Sequence, residues 1–134
     1  MPTERRERRT IETASDVVLV RQAARAFAAE AGLSLVDQTK LITAASELAR
    51  NTLDYGGGGF VQIDMLDKGG RRGVQLVFED QGPGIEDIQL ALKDGYSTGS
   101  GLGLGLGGSR RLVNEFSIQS QVGQGTRVTI VRWK

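Results

Sequence analysis

The sequence predicts an α+β domain in which one antiparallel or mixed sheet carries helices on one face. After residue 60 the spacing of hydrophobic residues changes from the period of a helix to the period of two that is typical of strands. Segments in which apolar and polar residues alternate occur in two pairs, and a turn that contains glycine joins each pair. Helical segments precede and separate these pairs, so the predicted order is β-α-α-β-β-α-α-β-β. At 134 residues the chain can bury a core of its own as a single domain.

The first part of the chain predicts one strand and two helices. A short strand is expected over 9–13, and a helix with its apolar residues on one side follows over 15–31. The second helix begins at Ser34, where Asp37 three residues later completes a variant of the capping box. The glycines of 56–59 end it.

The second part of the chain predicts two hairpins around two further helices. The glycine pair after Lys68 and the Gly-Gln-Gly sequence at 123–125 are typical of hairpin turns. The expected elements are strands 61–65 and 74–79, a short helix over 86–93, a helix ending at about 115, and strands 116–122 and 126–133.

Charge and composition exclude several classes of function. With 17 basic and 16 acidic residues, no overall field attracts nucleic acid. The chain has no cysteine for disulfides or thiolate metal sites, and no histidine for a phosphohistidine or a histidine base. No apolar run is long enough to span a bilayer. We therefore expect a cytoplasmic protein that binds neither membrane nor nucleic acid.

The N-terminal charge run at 4–9 contains four arginines interrupted by two glutamates. Such a run could dock an acidic partner or nucleic acid, but it contains no aromatic residue, and a solvated arm is the favoured interpretation. The expected division is a flexible arm over 1–8 and a folded domain over 9–134.

The segment Gly95–Gly108 is half glycine and leads into a predicted helix, as in loops that bind phosphate through main-chain amides. A dinucleotide-binding fold would need an apolar strand directly before it, and the residues from Tyr96 to Ser100 do not form one. A P-loop would need lysine after glycine, which the chain lacks. A flexible surface loop remains the simple alternative.

Four side chains elsewhere could form a site with this segment. Glu47 and Asn51 are four residues apart on one helix face, although a solvated polar stripe would show the same spacing. Asp80 shares its parity with the inward apolar residues of its strand and would face the core, unless it only caps the following turn. Thr126 faces inward by the same argument, as buried strand threonines commonly do.

The order of these features is more specific than any one of them. Glu-x-x-x-Asn at 47–51, Asp-x-Gly-x-Gly at 80–84, Gly-x-Gly-x-Gly at 101–105 and Gly-x-Gly-Thr at 123–126 resemble the four ATP-binding boxes of the GHKL superfamily. The longer strings SELARN, EDQGPGI and GLGLGL are similar to those of the RsbT-type serine/threonine kinases of bacterial stressosomes. The resemblance covers nearly the whole chain and implies a two-layer sandwich of the GHKL (Bergerat) type.

The resemblance also implies a role for each matching residue. Asn51 would hold Mg²⁺ against the phosphates, and Asp80 would accept from the adenine amine. Glu47 would act as the base for the attacking hydroxyl. The implied nucleotide-binding set is Asn51, Asp80, Gly82, Gly84 and Thr126, with Ser97, Thr98, Gly101, Gly103 and Gly105 in a lid over the triphosphate.

By resemblance, the chain would be an ATP- and Mg²⁺-dependent kinase that phosphorylates STAS-domain antagonist proteins and, once released, activates a partner phosphatase. Two alternatives stay open. One is an anti-sigma factor kinase that binds a sigma factor directly. The other is a nucleotide-gated binding module with no physiological phosphoacceptor, in which Glu47 would need no role as a base.

Overall fold

The computed structural model describes residues 3–93 and 105–134. Its elements are β1 (Thr3–Ile11), α1 (Ala14–Glu30), α2 (Leu35–Asp54), β2 (Gly59–Lys68), β3 (Arg71–Asp80), α3 (Ile88–Ala91), α4 (Leu106–Arg111), β4 (Glu115–Gln121) and β5 (Gly125–Trp133). Within these residues no helix is both long enough and apolar enough to cross a membrane.

The five strands form one antiparallel sheet in the order β1-β2-β3-β5-β4. Helices α1 and α2 pack against each other and against one face of this sheet, and α4 packs on α2. Inward and outward residues alternate along β2, β3 and β5, as the period-two pattern predicts. The outward face is mostly polar on β2 but also carries a small buried apolar cluster of Leu66, Val131 and Trp133. The α+β architecture with helices on one face is confirmed.

One continuous core fills the space between the helices and the sheet. The largest side chains that are fully buried come from all of the long elements: Ile11, Val17, Val20, Phe27, Leu41, Leu48, Val61, Ile63, Met65, Val74, Leu76 and Ile130. Burying side chains of this size stabilises the fold by roughly 1.5–3 kcal/mol each before the entropy of ordering them is counted. This packing fixes the positions of β3 and β5, whose ends carry site residues described below.

The N-terminal segment differs from its prediction, because β1 begins at Thr3 and residues 3–8, expected to be a flexible arm, are part of this strand and pair with β2. Its alternating charged residues find partners on both faces of the sheet. Arg6 Nε lies 2.7 Å from Asp64 Oδ1 on the open face, while Arg5 pairs with Glu30 and stacks on Phe27 on the helix face. The arginines are thus side chains of an edge strand.

Two helix ends also differ from their predictions. The cap of α1 is Thr13 in a complete capping box with Asp16, two residues before the expected start. Helix α4 stops at Arg111 because Asn114 pairs with β5: its N–H donates to the Val131 carbonyl at 2.9 Å, and its side-chain oxygen accepts from Trp133 N at 2.7 Å. The start of α2 at Ser34 is confirmed.

Candidate functional site

Three polar side chains form a line across the end of the sheet, on the face that the helices cover. Asp80 at the end of β3 lies opposite Thr126 on β5, and Thr126 lies opposite Ser120 on β4. Asp80 and Thr126 are 7% and 8% exposed. The inward orientation predicted from strand parity is therefore confirmed for both residues, and they form a polar floor in a pocket with largely apolar walls.

Asp80 is a buried carboxylate held by main-chain amides. Its Oδ1 accepts from Gly82 N at 2.9 Å, and the Thr126 amide also donates to it. Burial raises the pKa of Asp80 and outweighs these hydrogen bonds, which act in the opposite direction, and the neighbouring Glu79 adds to the rise. Burying this carboxylate costs free energy, and a ligand that donates a hydrogen bond to it would offset part of that cost.

Glycines surround Asp80 where a side chain could not fit. A Cβ on Gly56 would lie 2.4 Å from the Asp80 carboxyl carbon, and one on Gly82 would lie 2.7 Å from the Gly56 main chain. At Gly84 and Gly125 an added Cβ would lie 2.1 Å from the carbonyl oxygens of Gln121 and Asp80, respectively. The Asp-x-Gly-x-Gly sequence thus permits close backbone packing beneath the pocket.

The pocket itself opens between α2 and the sheet. Asn51 is half-buried in its wall, one turn beyond Glu47, and Tyr55 donates a hydrogen bond from its hydroxyl to the Gly84 carbonyl. The apolar lining residues are Leu48, Phe78, Ile85, Leu106 and Val128. Apolar walls with a few convergent polar groups are typical of a site for a flat, partly polar ring such as a nucleobase.

Glu47 lies outside this lining, on the exposed face of α2. Its carboxylate approaches Gly105, the residue before α4, so closely that a Cβ there would lie 2.4 Å from Glu47 Oε2. Gly105 has a φ of +63°, which glycine adopts without strain. The structure thus places Glu47 beside the C-terminal end of the glycine segment, one helical turn from Asn51.

Ser120 is a residue of the site that the sequence analysis missed. Its hydroxyl accepts from Ile85 N at 2.8 Å, donates to the Gly125 carbonyl at 3.0 Å and lies 2.8 Å from Thr126 Oγ1. Because the Ser120 proton goes to the Gly125 carbonyl, Ser120 accepts from the Thr126 hydroxyl, and both lone pairs of Thr126 Oγ1 stay available to the pocket. The hairpin turn at 123–125 already places position 120 opposite Thr126, so this partner could have been found.

Part of the predicted site cannot be compared with the structure. Residues Ser97, Thr98, Gly101 and Gly103 lie outside the described residues, as does most of the expected lid. Arg50, the residue before Asn51, pairs with Asp54 at 3.9 Å on the exposed surface of α2. No group of three or more carboxylates, histidines or cysteines that could hold a metal ion exists among the described residues.

Comparison with known proteins identifies the fold and the family. Residues 36–134 match the family described as histidine kinase-, DNA gyrase B- and HSP90-like ATPases. The chain belongs to this GHKL family. It is an enzyme of the family's kinase class, and nucleotide binding follows from that membership.

Individual relatives refine this assignment. The chain is 46% identical over 123 residues to the serine/threonine-protein kinase RsbT of Bacillus subtilis, which covers 92% of each chain. An anti-sigma F factor of Clostridium kluyveri is 30% identical over 109 residues, or 77% of this chain and 75% of its own. The expected resemblance to RsbT-type kinases is confirmed.

A solved structure supports the fold alone. The RsbU and RsbW domains from Mycobacterium tuberculosis superpose with a TM-score of 0.63 at 22% identity. The match covers 96% of this chain but only 31% of that longer one.

Proposed function

We propose that this chain is an ATP- and Mg²⁺-dependent protein kinase that phosphorylates a serine or threonine of STAS-domain antagonist proteins in a partner-switching pathway. The observation that carries the proposal is the placement of Glu47 beside Gly105 and one turn from the pocket residue Asn51. A base outside the nucleotide pocket can reach a hydroxyl that comes from another protein. The 46% identity to a serine/threonine-protein kinase supports the same reaction.

In this proposal the pocket binds the adenine ring. Asp80 accepts a hydrogen bond from the exocyclic amine, the apolar walls cover the ring faces, and the Thr126 hydroxyl accepts a hydrogen bond from a bridging water. Tyr55 and Ser120 bind the backbone of the turn at 82–85, and Ser120 also binds the hairpin turn at 123–125. The buried acceptor on the floor favours a base with an amine there over one with a carbonyl.

The residues present also fit a magnesium ion held mainly by the nucleotide. Mg²⁺ takes few protein ligands and completes its shell with phosphate and water, and the Asn51 carboxamide supplies a hard oxygen at the pocket wall. When bound, the ion would neutralise charge on the transferring phosphoryl group.

Phosphoryl transfer forms a bond between the acceptor oxygen and the γ-phosphorus and breaks the bond from that phosphorus to the β-bridging oxygen, which leaves with ADP. Glu47 receives the hydroxyl proton in the proposed step. In the resulting cycle, phosphorylated antagonists release the kinase, which then binds and activates a partner phosphatase. Such a cycle operates in the cytoplasm, where ATP is available.

The variant Glu47→Ala tests the proposal, with Glu12→Ala as the control because Glu12 is also exposed but lies before α1. Glu47→Ala should bind ATP nearly normally in calorimetry and lose transfer to a STAS protein by roughly 10²- to 10⁴-fold, as for a positioned base. Because release follows transfer, it should also stay bound to its STAS substrate in ATP. Undiminished transfer would contradict the role of Glu47.

The relatives named anti-sigma F factor support a second candidate, in which the chain binds a sigma factor directly. A pull-down with sigma factor in competition with core polymerase separates the two. Retention of sigma by Glu47→Ala would favour the anti-sigma role. Normal release of partners by a transfer-deficient variant would favour a module gated by nucleotide occupancy alone.

A further inference from the structure

Helix α2 exposes a continuous face that leads away from Glu47. Val36, Lys40, Thr43 and Glu47 recur at intervals of four, three and four residues, so they lie on one side of the helix. Val36 is 64% exposed and its neighbour Leu35 is 80% exposed, which makes them the two most exposed large apolar side chains of this helix. Thr43 and Glu47 are also open to solvent.

Helix α4 packs on α2, with one link to it at each end. Its N-terminal end is at Glu47, where Gly105 touches the carboxylate. Its C-terminal end is at the first turn of α2, because one guanidinium joins the two: Arg132 Nη1 donates to the Leu112 carbonyl at 3.2 Å and Nη2 to Asp37 Oδ1 at 2.6 Å. The two helices therefore present a common outer surface.

This surface is cationic around an apolar patch. Arg110 and Arg111 are exposed in the last turn of α4, and Lys40 is half-exposed on α2. The carboxylate of Asp37 at the same end is bound by Arg132, and this contact lowers the pKa of Asp37. The positive charge thus comes from Lys40, between Val36 and Glu47 on α2, and from the last turn of α4, where Arg110 also lies near Lys93. Such a surface complements a partner that is acidic and partly apolar.

We propose that this α2–α4 surface docks the protein that supplies the acceptor hydroxyl, and that it recognises an acidic, partly apolar face of that protein. The inference rests on the proposed kinase function. Val36 lies about 16 Å along the helix axis from Glu47 at 1.5 Å per residue. An ordinary interface of about 800 Å² per partner has a radius of about 16 Å, so an acceptor centred on Glu47 reaches the apolar pair at its rim.

The test uses the full chain with the double variant Lys40→Glu/Arg110→Glu, and separately Val36→Asp. These side chains are half-exposed or exposed, so the fold should persist in circular dichroism. The control is Lys68→Glu, one charge reversal at the end of β2, and Lys40→Glu and Arg110→Glu are also made singly so that each is compared with a change of equal size. Purified STAS-domain antagonist is the acceptor, and steady-state transfer gives kcat and KM beside the ATP affinity from calorimetry.

We expect the double variant to raise KM for the acceptor by about tenfold or more, with kcat within about twofold and ATP affinity unchanged, as for rim charges that attract a partner. KM of the wild type should rise with salt more steeply than KM of the variant. An unchanged KM in both variants, with active wild type, would overturn the docking surface alone. No transfer by the wild type would overturn the proposed function and this surface with it.

Discussion

Replacing Asp80 by asparagine should weaken nucleotide binding and at the same time stabilise the empty protein. The asparagine oxygen can still accept from Gly82 N, as Asp80 Oδ1 does at 2.9 Å. The second position then carries an NH₂ group that faces the adenine amine, donor against donor. A hydrogen bond to a charged group contributes roughly 1.5–3 kcal/mol, which corresponds to an affinity loss of roughly 10- to 150-fold.

The gain in stability follows from the charge that burial penalises. Burial raises the pKa of Asp80, so the folded chain holds this proton more readily than the unfolded chain does. For the empty wild type, stability should fall as pH rises from the ordinary carboxyl pKa of about 3.9 through the raised value, and stay lower above it. Asp80→Asn lacks this decrease and should have a higher Tm near neutral pH.

A second buried carboxylate provides the control. Asp64 is 1% exposed on the opposite face of the sheet, with Arg6 Nε at 2.7 Å. Asp64→Asn should lower Tm, because it weakens the attachment of β1, and leave ATP affinity unchanged. Calorimetric titration and thermal denaturation of both variants separate the effects. If Asp80→Asn bound ATP as tightly as wild type, the assignment of Asp80 to the base would be refuted. If it lost stability as Asp64→Asn does, the cost assigned to the buried charge would be refuted.

Three further variants and one control variant test other parts of the site. Asn51→Ala should weaken ATP binding with Mg²⁺ more than ADP binding with EDTA, since its contact runs through the metal, and equal losses in calorimetry would indicate a damaged helix instead. Ser120→Ala removes three hydrogen-bond contacts and should weaken ATP binding by roughly 5- to 100-fold, whereas unchanged affinity would exclude a role in orienting the Thr126 hydroxyl. Gly56→Ala should lower both Tm and ATP affinity because its Cβ would strike Asp80, while Gly108→Ala, with open space in α4, should raise Tm slightly; equal effects would contradict the packing argument.

The parts of the site that lie on regular elements could be predicted from sequence. Strand parity alone places Asp80 and Thr126 on the inner face, and helical spacing places Asn51 one turn from Glu47. These periodicities are local properties of the backbone. The α2 start at Ser34 was predictable for the same reason, since the cap and its N–H partner are three residues apart.

The remaining parts depend on contacts between distant residues. From the sequence alone, the arginines of β1 indicate a solvated charge run. Their partners Asp64 and Glu30 are distant in the sequence and lie beside them only in the folded chain. The glycines at 56–59 end α2 as expected, but the sequence does not show that Gly56 also packs on the carboxyl group of Asp80. Such close approaches come from the tertiary fold, which composition and spacing do not encode.

Asp64 and Asp80 lie in the same sheet, but different groups surround the structural carboxylate of Asp64 and the functional carboxylate of Asp80. Both are almost fully buried, but Asp64 receives a guanidinium, whereas among the described residues Asp80 receives main-chain N–H groups and Glu79 adds a like charge. A fold that needed only stability would neutralise Asp80 or replace it by an apolar residue, since an uncompensated buried charge is costly. Asp80 is retained where its carboxylate faces the pocket, so a bound ligand can donate the hydrogen bond that the fold does not supply. Nucleotide binding should therefore raise the stability of the wild type by more than that of Asp80→Asn at equal ligand concentration.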